Sequence, residues 1–220
     1  MNNFLYNPDW SLYVITDEQL SGRSHVEIAR AAIEGGADVI QLRDKTASGR
    51  KLYEVAVEIR QLTRAAHVIF IVNDRLDIAL ASNADGLHVG QSDLPATVTR
   101  TLLGKDKILG VSAESVTEAI QAEQAGADYL GVGPIFEARQ TKPDAGAPGG
   151  LKLLRDIRQQ CSVPLVAIGG INATNIHLTL QAGANAVAII SAIVTAPDIQ
   201  IATQLMQAKI RATKNEIKSI

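Results

Sequence analysis

A single cysteine, Cys161, stands in 220 residues. It excludes an internal disulfide and any zinc cluster built on several thiolates. Only four histidines are present, scattered at positions 25, 67, 88 and 177, and no zinc-ligand spacing joins them. His88 falls inside an expected strand and reads as a packed, hydrogen-bonded side chain. His25, His67 and His177 fall on or beside expected helices and read as surface residues. Charge of one sign is also missing: the formal balance is −2, so nothing draws the chain in bulk to nucleic acid or an anionic membrane. Any phosphate binding must therefore be local. No apolar run approaches the length that spans a bilayer, and Met1–Trp10 lacks the basic stretch and apolar core of a secretory signal. The expectation is a soluble, cytoplasmic protein with small-molecule partners, bound to neither nucleic acid nor membrane, with a homo-oligomer left open.

Aromatics are only 4% of the chain, against 46% apolar residues in which Ala, Ile, Val and Leu prevail. Such residues suit strands buried on both faces with helices packed over them. Short apolar runs alternate with amphipathic ones throughout. Strands are expected near Leu12–Thr16, Val39–Arg43, Val68–Asn73, Gly86–Val89, Ile108–Ser112, Tyr129–Gly133, Leu165–Ile168 and Ala186–Ile190. Helices are expected between them, among others over Ser24–Glu34, Gly49–Arg64, Val116–Gln124 and Thr174–Gln181, with a last one over Pro197–Lys214. Strand then helix, eight times, predicts a single-domain α/β fold, a closed (β/α)8 TIM barrel over residues 1–220, with residues 1–10 as an N-terminal extension.

A weak repeat supports the count. Gly36-Ala37-Asp38, Ala84-Asp85, Gly126-Ala127-Asp128 and Gly183-Ala184-Asn185 each precede an even-numbered strand, where glycine suits the left-handed residue after a helix. Recurrence every two strands predicts a βαβα unit used four times. The one long irregular stretch, Gly133–Gly150, follows the sixth strand and is expected to be a lid over the active site.

In such a barrel the C-terminal strand ends share one pocket, and here they carry cations, carboxylates and glycines. Side chains alternate along Val39–Arg43, so Gln41 and Arg43 face the mouth while Ile40 and Leu42 pack outward. Arg43 offers a bidentate fork for phosphate and Lys45 a mobile charge; a buried structural arginine is the plainer alternative. Asp44 faces away and orients its neighbours. Asn73 and Asp74 end the third strand, and Asp93 follows the fourth. Asp74 and Asp93 read as helix caps if taken singly, and together as ligands for magnesium shared with substrate phosphate. Ser112 offers a hydroxyl to a phosphate or leaving-group oxygen, with Ser115 the nearer cap for the next helix. No nucleophile elbow or triad accompanies it. Thr141 and Lys142 lie in the expected lid. Gly169-Gly170 and Ile190-Ser191 end the last two strands, where these barrels often hold phosphate.

Together these segments resemble the thiamine phosphate synthase family: Leu12–Asp17, Gln41–Lys45, Val72–Arg75, Asp85–Asp93, Gly110–Ser112, Gly131–Phe136, Ala167–Ile171 and Ile189–Ala192, in the family's order over nearly the whole chain. The resemblance implies that Gln41, Arg43, Lys45, Asn73, Ser112 and Lys142 hold a hydroxymethylpyrimidine diphosphate. It implies Asp74 and Asp93 as ligands of Mg2+, and Thr141, Gly170, Ile190 and Ser191 around a thiazole phosphate. It also implies a dissociative substitution that releases diphosphate, with Arg43, Lys45, Ser112 and Lys142 serving the departing group. One motif departs from the family. Its loop reads Thr-x-Thr-Lys, whereas Glu137-Ala-Arg-Gln140 precedes Thr141-Lys142 here. Arg139 is the candidate to replace the missing threonine's contact, which bears on the thiazole side alone. Two other readings compete: a thiazole tautomerase-like isomerase, whose relatives carry a histidine where this chain has Ala113, and a non-catalytic binding protein for a thiamine precursor.

Overall fold

The structure, a computed structural model, describes residues 10–137 and 148–219. Among the described residues there are eight strands: β1 (Leu12–Thr16), β2 (Val39–Leu42), β3 (Ile69–Asn73), β4 (Gly86–Val89), β5 (Ile108–Ala113), β6 (Tyr129–Val132), β7 (Leu165–Ile168) and β8 (Ala186–Ile189). Each pairs in parallel with the next, and β8 returns to β1 with Leu12 opposite Val187, so the barrel closes. The described helices are α1 (Glu18–Ser21), α2 (His25–Glu34), α3 (Gly49–Ala66), α4 (Leu76–Ala81), α5 (Ala96–Leu103), α6 (Val116–Gln124), α7 (Gly150–Gln160), α8 (Ile176–Gln181), α9 (Ser191–Val194) and α10 (Ile199–Lys218). Ser24, Ser48, Ser115 and Asp198 cap α2, α3, α6 and α10 by accepting a backbone N–H from the first turn.

Alternation along each strand divides the core in two. Leu12, Val14, Ile40, Leu42, Phe70, Val72, Leu109 and Val111 point outward into the layer shared with the helices. Tyr13, Ile15, Val39, Ile69, Ile71, Ile108, Tyr129 and Val166 point inward and fill the barrel. Both faces of the sheet are thus dry, which is why these strands read as near-continuous apolar runs. Each fully buried Leu or Ile contributes roughly 1.5–3 kcal/mol.

The Gly-Ala-Asp repeat has a structural reason. The Asp38 carboxylate accepts the N–H groups of Ser11 and Leu12 at 2.8 and 2.9 Å, at the start of β1. Asp85 accepts from Phe70 on β3 at 2.8 Å, and Asp128 from Leu109 on β5 at 2.7 Å. The Asn185 side-chain oxygen accepts from Leu165 on β7 at 2.9 Å. Each acceptor at the foot of an even strand therefore ties the foot of the odd strand before it. The left-handed residue precedes each tie: Gly36, Gly126 and Gly183 have φ of 91°, 89° and 105°, and Asn83 (φ 53°) stands in for glycine in the second unit. Around this rim Arg60 pairs with Asp85 at 2.8 Å and Arg100 with Asp128 at 2.5 Å.

One expectation is corrected. His25 is buried rather than on the surface: its Nδ1 lies 2.7 Å from Thr16 Oγ1, and its Nε2 3.4 Å from Asp44. Opening α2 directly under the end of β1 turns its ring inward. The capping alternative for Asp74 and Asp93 is not what the structure shows: the N-cap residues of α4 and α5 are Arg75 and Pro95, and neither helix has a side-chain cap. His67 and His177 are exposed as expected. The residues of the expected lid at 138–147, with Arg139, Thr141 and Lys142, lie outside the described residues, as do residues 1–9 of the extension. On either side of 138–147, the Gly149 N–H donates to the Pro134 carbonyl at 2.9 Å.

Candidate active site

A cavity of about 360 Å³ opens at the C-terminal ends of the strands. Gln41, Arg43 and Lys45 reach it from β2 and its loop, Asn73 and Asp74 from β3, and Gln91 and Asp93 from the loop after β4. Ser112 comes from β5, Gly169 and Gly170 from β7, and Ile190 and Ser191 from β8. Every described residue that the sequence marked for the site lines this one cavity. The alternation that sends Ile40 and Leu42 outward delivers Gln41 and Arg43 to it.

Its electrostatics centre on two aspartates. Asp74 has a left-handed backbone (φ 60°), and its N–H donates to the His88 carbonyl at 2.8 Å, which turns the side chain over the barrel mouth. There it lies beside Asp93. Burial first, then the neighbouring Asp93 carboxylate, push the Asp74 carboxyl from 3.8 up to about 6, against the opposing pull of Lys45 and Arg43. Lys45 Nζ lies 3.9 Å from Asp74, and Arg43 lies 3.5 Å from Asp17. Asp93 also accepts the Gly90 N–H at 2.8 Å, which fixes its side of the pair. Two neighbouring carboxylates flanked by two cations form an oxygen-donor set suited to a hard divalent ion.

The opposite wall is glycine. Gly169 and Gly170 have φ of 100° and 65°, and a Cβ on Gly170 would meet the Glu137 carbonyl oxygen at 2.5 Å. Bare backbone here lets N–H groups approach an anion.

The cavity floor was not legible from single positions. Tyr13, Gln41 and Tyr129 are buried there, and Gln41 Nε2 donates to Tyr13 Oη at 2.8 Å. Tyr13 and Tyr129 hydroxyls lie 2.9 Å apart, and Tyr129 is 2.9 Å from His88 Nδ1. His88 Nε2 lies 2.9 Å from Ser112 Oγ. His88 is thus hydrogen-bonded, as expected, but lines the site as well. Strand parity, odd positions inward on β1 and β6, was the available signal for both tyrosines.

Outside the cavity, Glu18, His25 and Asp44 bring ligand-type atoms within 4.8 Å of one another. Glu18 accepts the His25 N–H at 2.8 Å, and Asp44 accepts the N–H groups of Thr46 and Ala47 at 2.8 and 2.9 Å. Although burial opposes it, these bonds hold the Asp44 carboxyl below its usual range. The cluster braces the loop that carries Arg43 and Lys45, in keeping with the orienting role expected of Asp44.

Residues 12–193 match the family model described as thiamine monophosphate synthase. The chain belongs to that family. It is 54% identical over 209 residues to the thiamine-phosphate synthase of Chloroflexus aurantiacus, covering 94% of this chain and 96% of that protein. It is 52% identical over 197 residues to the protein of the same name from Methanospirillum hungatei, covering 89% and 95%. Among solved structures, thiamine phosphate pyrophosphorylase from Pyrococcus furiosus matches with a TM-score of 0.86 and 41% identity, covering 93% of this chain and 96% of that one. A 3-hexulose-6-phosphate synthase shares the fold alone, with a TM-score of 0.65 at 22% identity. With thiamine monophosphate synthase membership the chain is an enzyme, a transferase.

Proposed function

We propose that this transferase condenses 4-amino-2-methyl-5-(diphosphooxymethyl)pyrimidine with 4-methyl-5-(2-phosphoethyl)thiazole, or its carboxylated form, giving thiamine phosphate and diphosphate. The observation that carries the reading is a juxtaposition: Asp74 and Asp93 lie beside Lys45 and Arg43, in the same cavity as Gly169-Gly170.

The chemistry follows from that layout. The pyrimidine methylene C–O bond breaks, diphosphate departs with the electron pair, and the thiazole nitrogen lone pair forms the new C–N bond. Arg43 and Lys45 take up charge growing on the departing oxygens, and Ser112 donates a hydrogen bond to them. Asn73 sits beside Asp74 to orient the same group. Asp74 and Asp93 fit magnesium, which when bound neutralises charge on the diphosphate. Gly170, Ile190 and Ser191 are assigned to the thiazole phosphate. Ile15, Val166 and Ile168 line the interior of the cavity and shield the electron-poor methylene from water. Lys142, Thr141 and Arg139 keep their proposed substrate contacts on the sequence resemblance alone. No general base is required, and Ala113, where a tautomerase-like relative has histidine, is fully buried in the sheet–helix layer.

The test incubates purified protein with both substrates, with and without magnesium, and measures thiamine phosphate and diphosphate. Equimolar products that require magnesium are expected. Thiazole isomerisation without condensation would replace this reading with the tautomerase, and tight binding without turnover with the binding protein.

A further inference from the structure

Five side chains from five strands form one unbroken chain of hydrogen bonds across the cavity floor: Gln41, Tyr13, Tyr129, His88 and Ser112, every link 2.8–2.9 Å long. Each hydroxyl in such a chain has one proton, and the neutral imidazole has one N–H. Several donor patterns are possible, since a phenol oxygen can accept twice, but only two, one the reverse of the other, leave neither buried phenol with a proton lacking an acceptor. Gln41 Nε2 donates to Tyr13, so Tyr13 donates to Tyr129 and Tyr129 to His88 Nδ1. The imidazole proton is thereby held on Nε2 and donated to Ser112 Oγ. Burial pushes both phenols up, so each keeps its proton through the neutral range and the direction is not scrambled by ionisation.

The two ends of this chain both face the cavity. At one end the Gln41 carbonyl oxygen accepts no hydrogen bond among the described residues, although Gln41 is only 3% exposed. At the other, Ser112 Oγ accepts from His88 and has its own proton to give.

We propose that Tyr13, Tyr129 and His88 are positioning residues that fix the polarity of this chain, so that Gln41 offers the ligand ring an acceptor while Ser112 offers a donor. This rests on the pyrimidine reading of the pocket and deepens it. The floor selects a ring bearing an N–H donor, an amine, against one bearing a carbonyl at the same place, because reversing Gln41 requires every link to reverse. Tyr13 governs the Gln41 end. Tyr129, as the donor to His88, governs the Ser112 end.

The experiment measures calorimetric Kd values for two probes: the 4-aminopyrimidine diphosphate above, and its analogue with a ring carbonyl replacing the 4-amine. Wild-type protein is expected to prefer the amine by at least about ten-fold, the scale of one buried hydrogen bond. Tyr13→Phe is expected to bring that preference to within about three-fold, since the amide is then free to turn. Tyr129→Phe removes the acceptor of Tyr13 as well as the donor to His88, so it is expected to narrow the preference too and, unlike Tyr13→Phe, to lower kcat with the natural substrates about ten-fold or more. Thermal unfolding of both variants checks that they are folded, and a Tyr13 variant that does not fold is replaced by Gln41→Glu, whose charged oxygens remove the donor to Tyr13 and, on this inference, cost Ser112 its proton and kcat. A wild-type preference that survives Tyr13→Phe, or equal losses for both probes, overturns the inference alone. Wild-type protein binding neither probe overturns the pyrimidine reading and this inference with it.

Discussion

Asp74 concentrates the electrostatic cost of the site. Its carboxyl titrates at about 6 when folded and near 3.8 when unfolded, so the folded chain holds the extra proton between those values. The linkage sign follows: this group's stabilising contribution is full below pH 3.8 and is lost as pH rises through 6. Asp74→Asn should therefore be more stable than wild type at pH 8, by roughly 1–2 kcal/mol after allowing for its partial exposure. The difference should vanish at pH 4, as urea unfolding at both values would reveal. Saturating magnesium should also close most of the gap at pH 8 by stabilising wild type alone. Activity runs the other way, with Asp74→Ala or Asp93→Ala expected to abolish turnover. Arg43→Ala should lower kcat by about 10²-fold, read in the same product assay. At this scale the sequence exposed the residue types and their strand ends. It posed the choice between capping and metal binding for Asp74 without deciding it, because capping turns on backbone geometry: Asp74 has φ 60°, and Arg75, not Asp74, is the N-cap of α4.

Elements were legible where periodicity had room to show. Each predicted strand boundary falls within one residue of the observed one, because the strands are mostly buried apolar runs flanked by polar or glycine residues. The four-residue helices α1 and α9 are too short for a 3.6-residue pattern to register. His25 was misread for a related reason: burial of the first residue of α2 depends on what lies beneath it, namely Thr16 and Asp44. The repeat was visible as spelling, but its purpose needed coordinates, since the tie runs backward from Asp128 to Leu109 across 19 residues. Asp128→Ala removes the acceptor for that N–H and the partner of Arg100. It should cost about 1–3 kcal/mol by chemical denaturation while leaving KM for both substrates unchanged, because the tie lies at the rim opposite the cavity.

Over the whole molecule, the two rims divide the labour between holding the barrel shut and holding charge. The ties themselves are local in a particular sense. Asp38, Asp85, Asp128 and Asn185 each reach back to the strand just before their own, never to a later one. Cut between Gly104 and Lys105, in the connection from α5 to β5, the chain yields two fragments that each retain a full set of these clasps. Cut between Glu114 and Ser115, after β5, it yields fragments that have lost the one from Asp128. Co-expressed halves of the first kind should reassemble into an active enzyme, and those of the second kind should do so poorly or not at all. The barrel is, in that sense, four staves whose backward clasps never cross a seam, with ion pairs such as Arg100–Asp128 left to join one stave to the next.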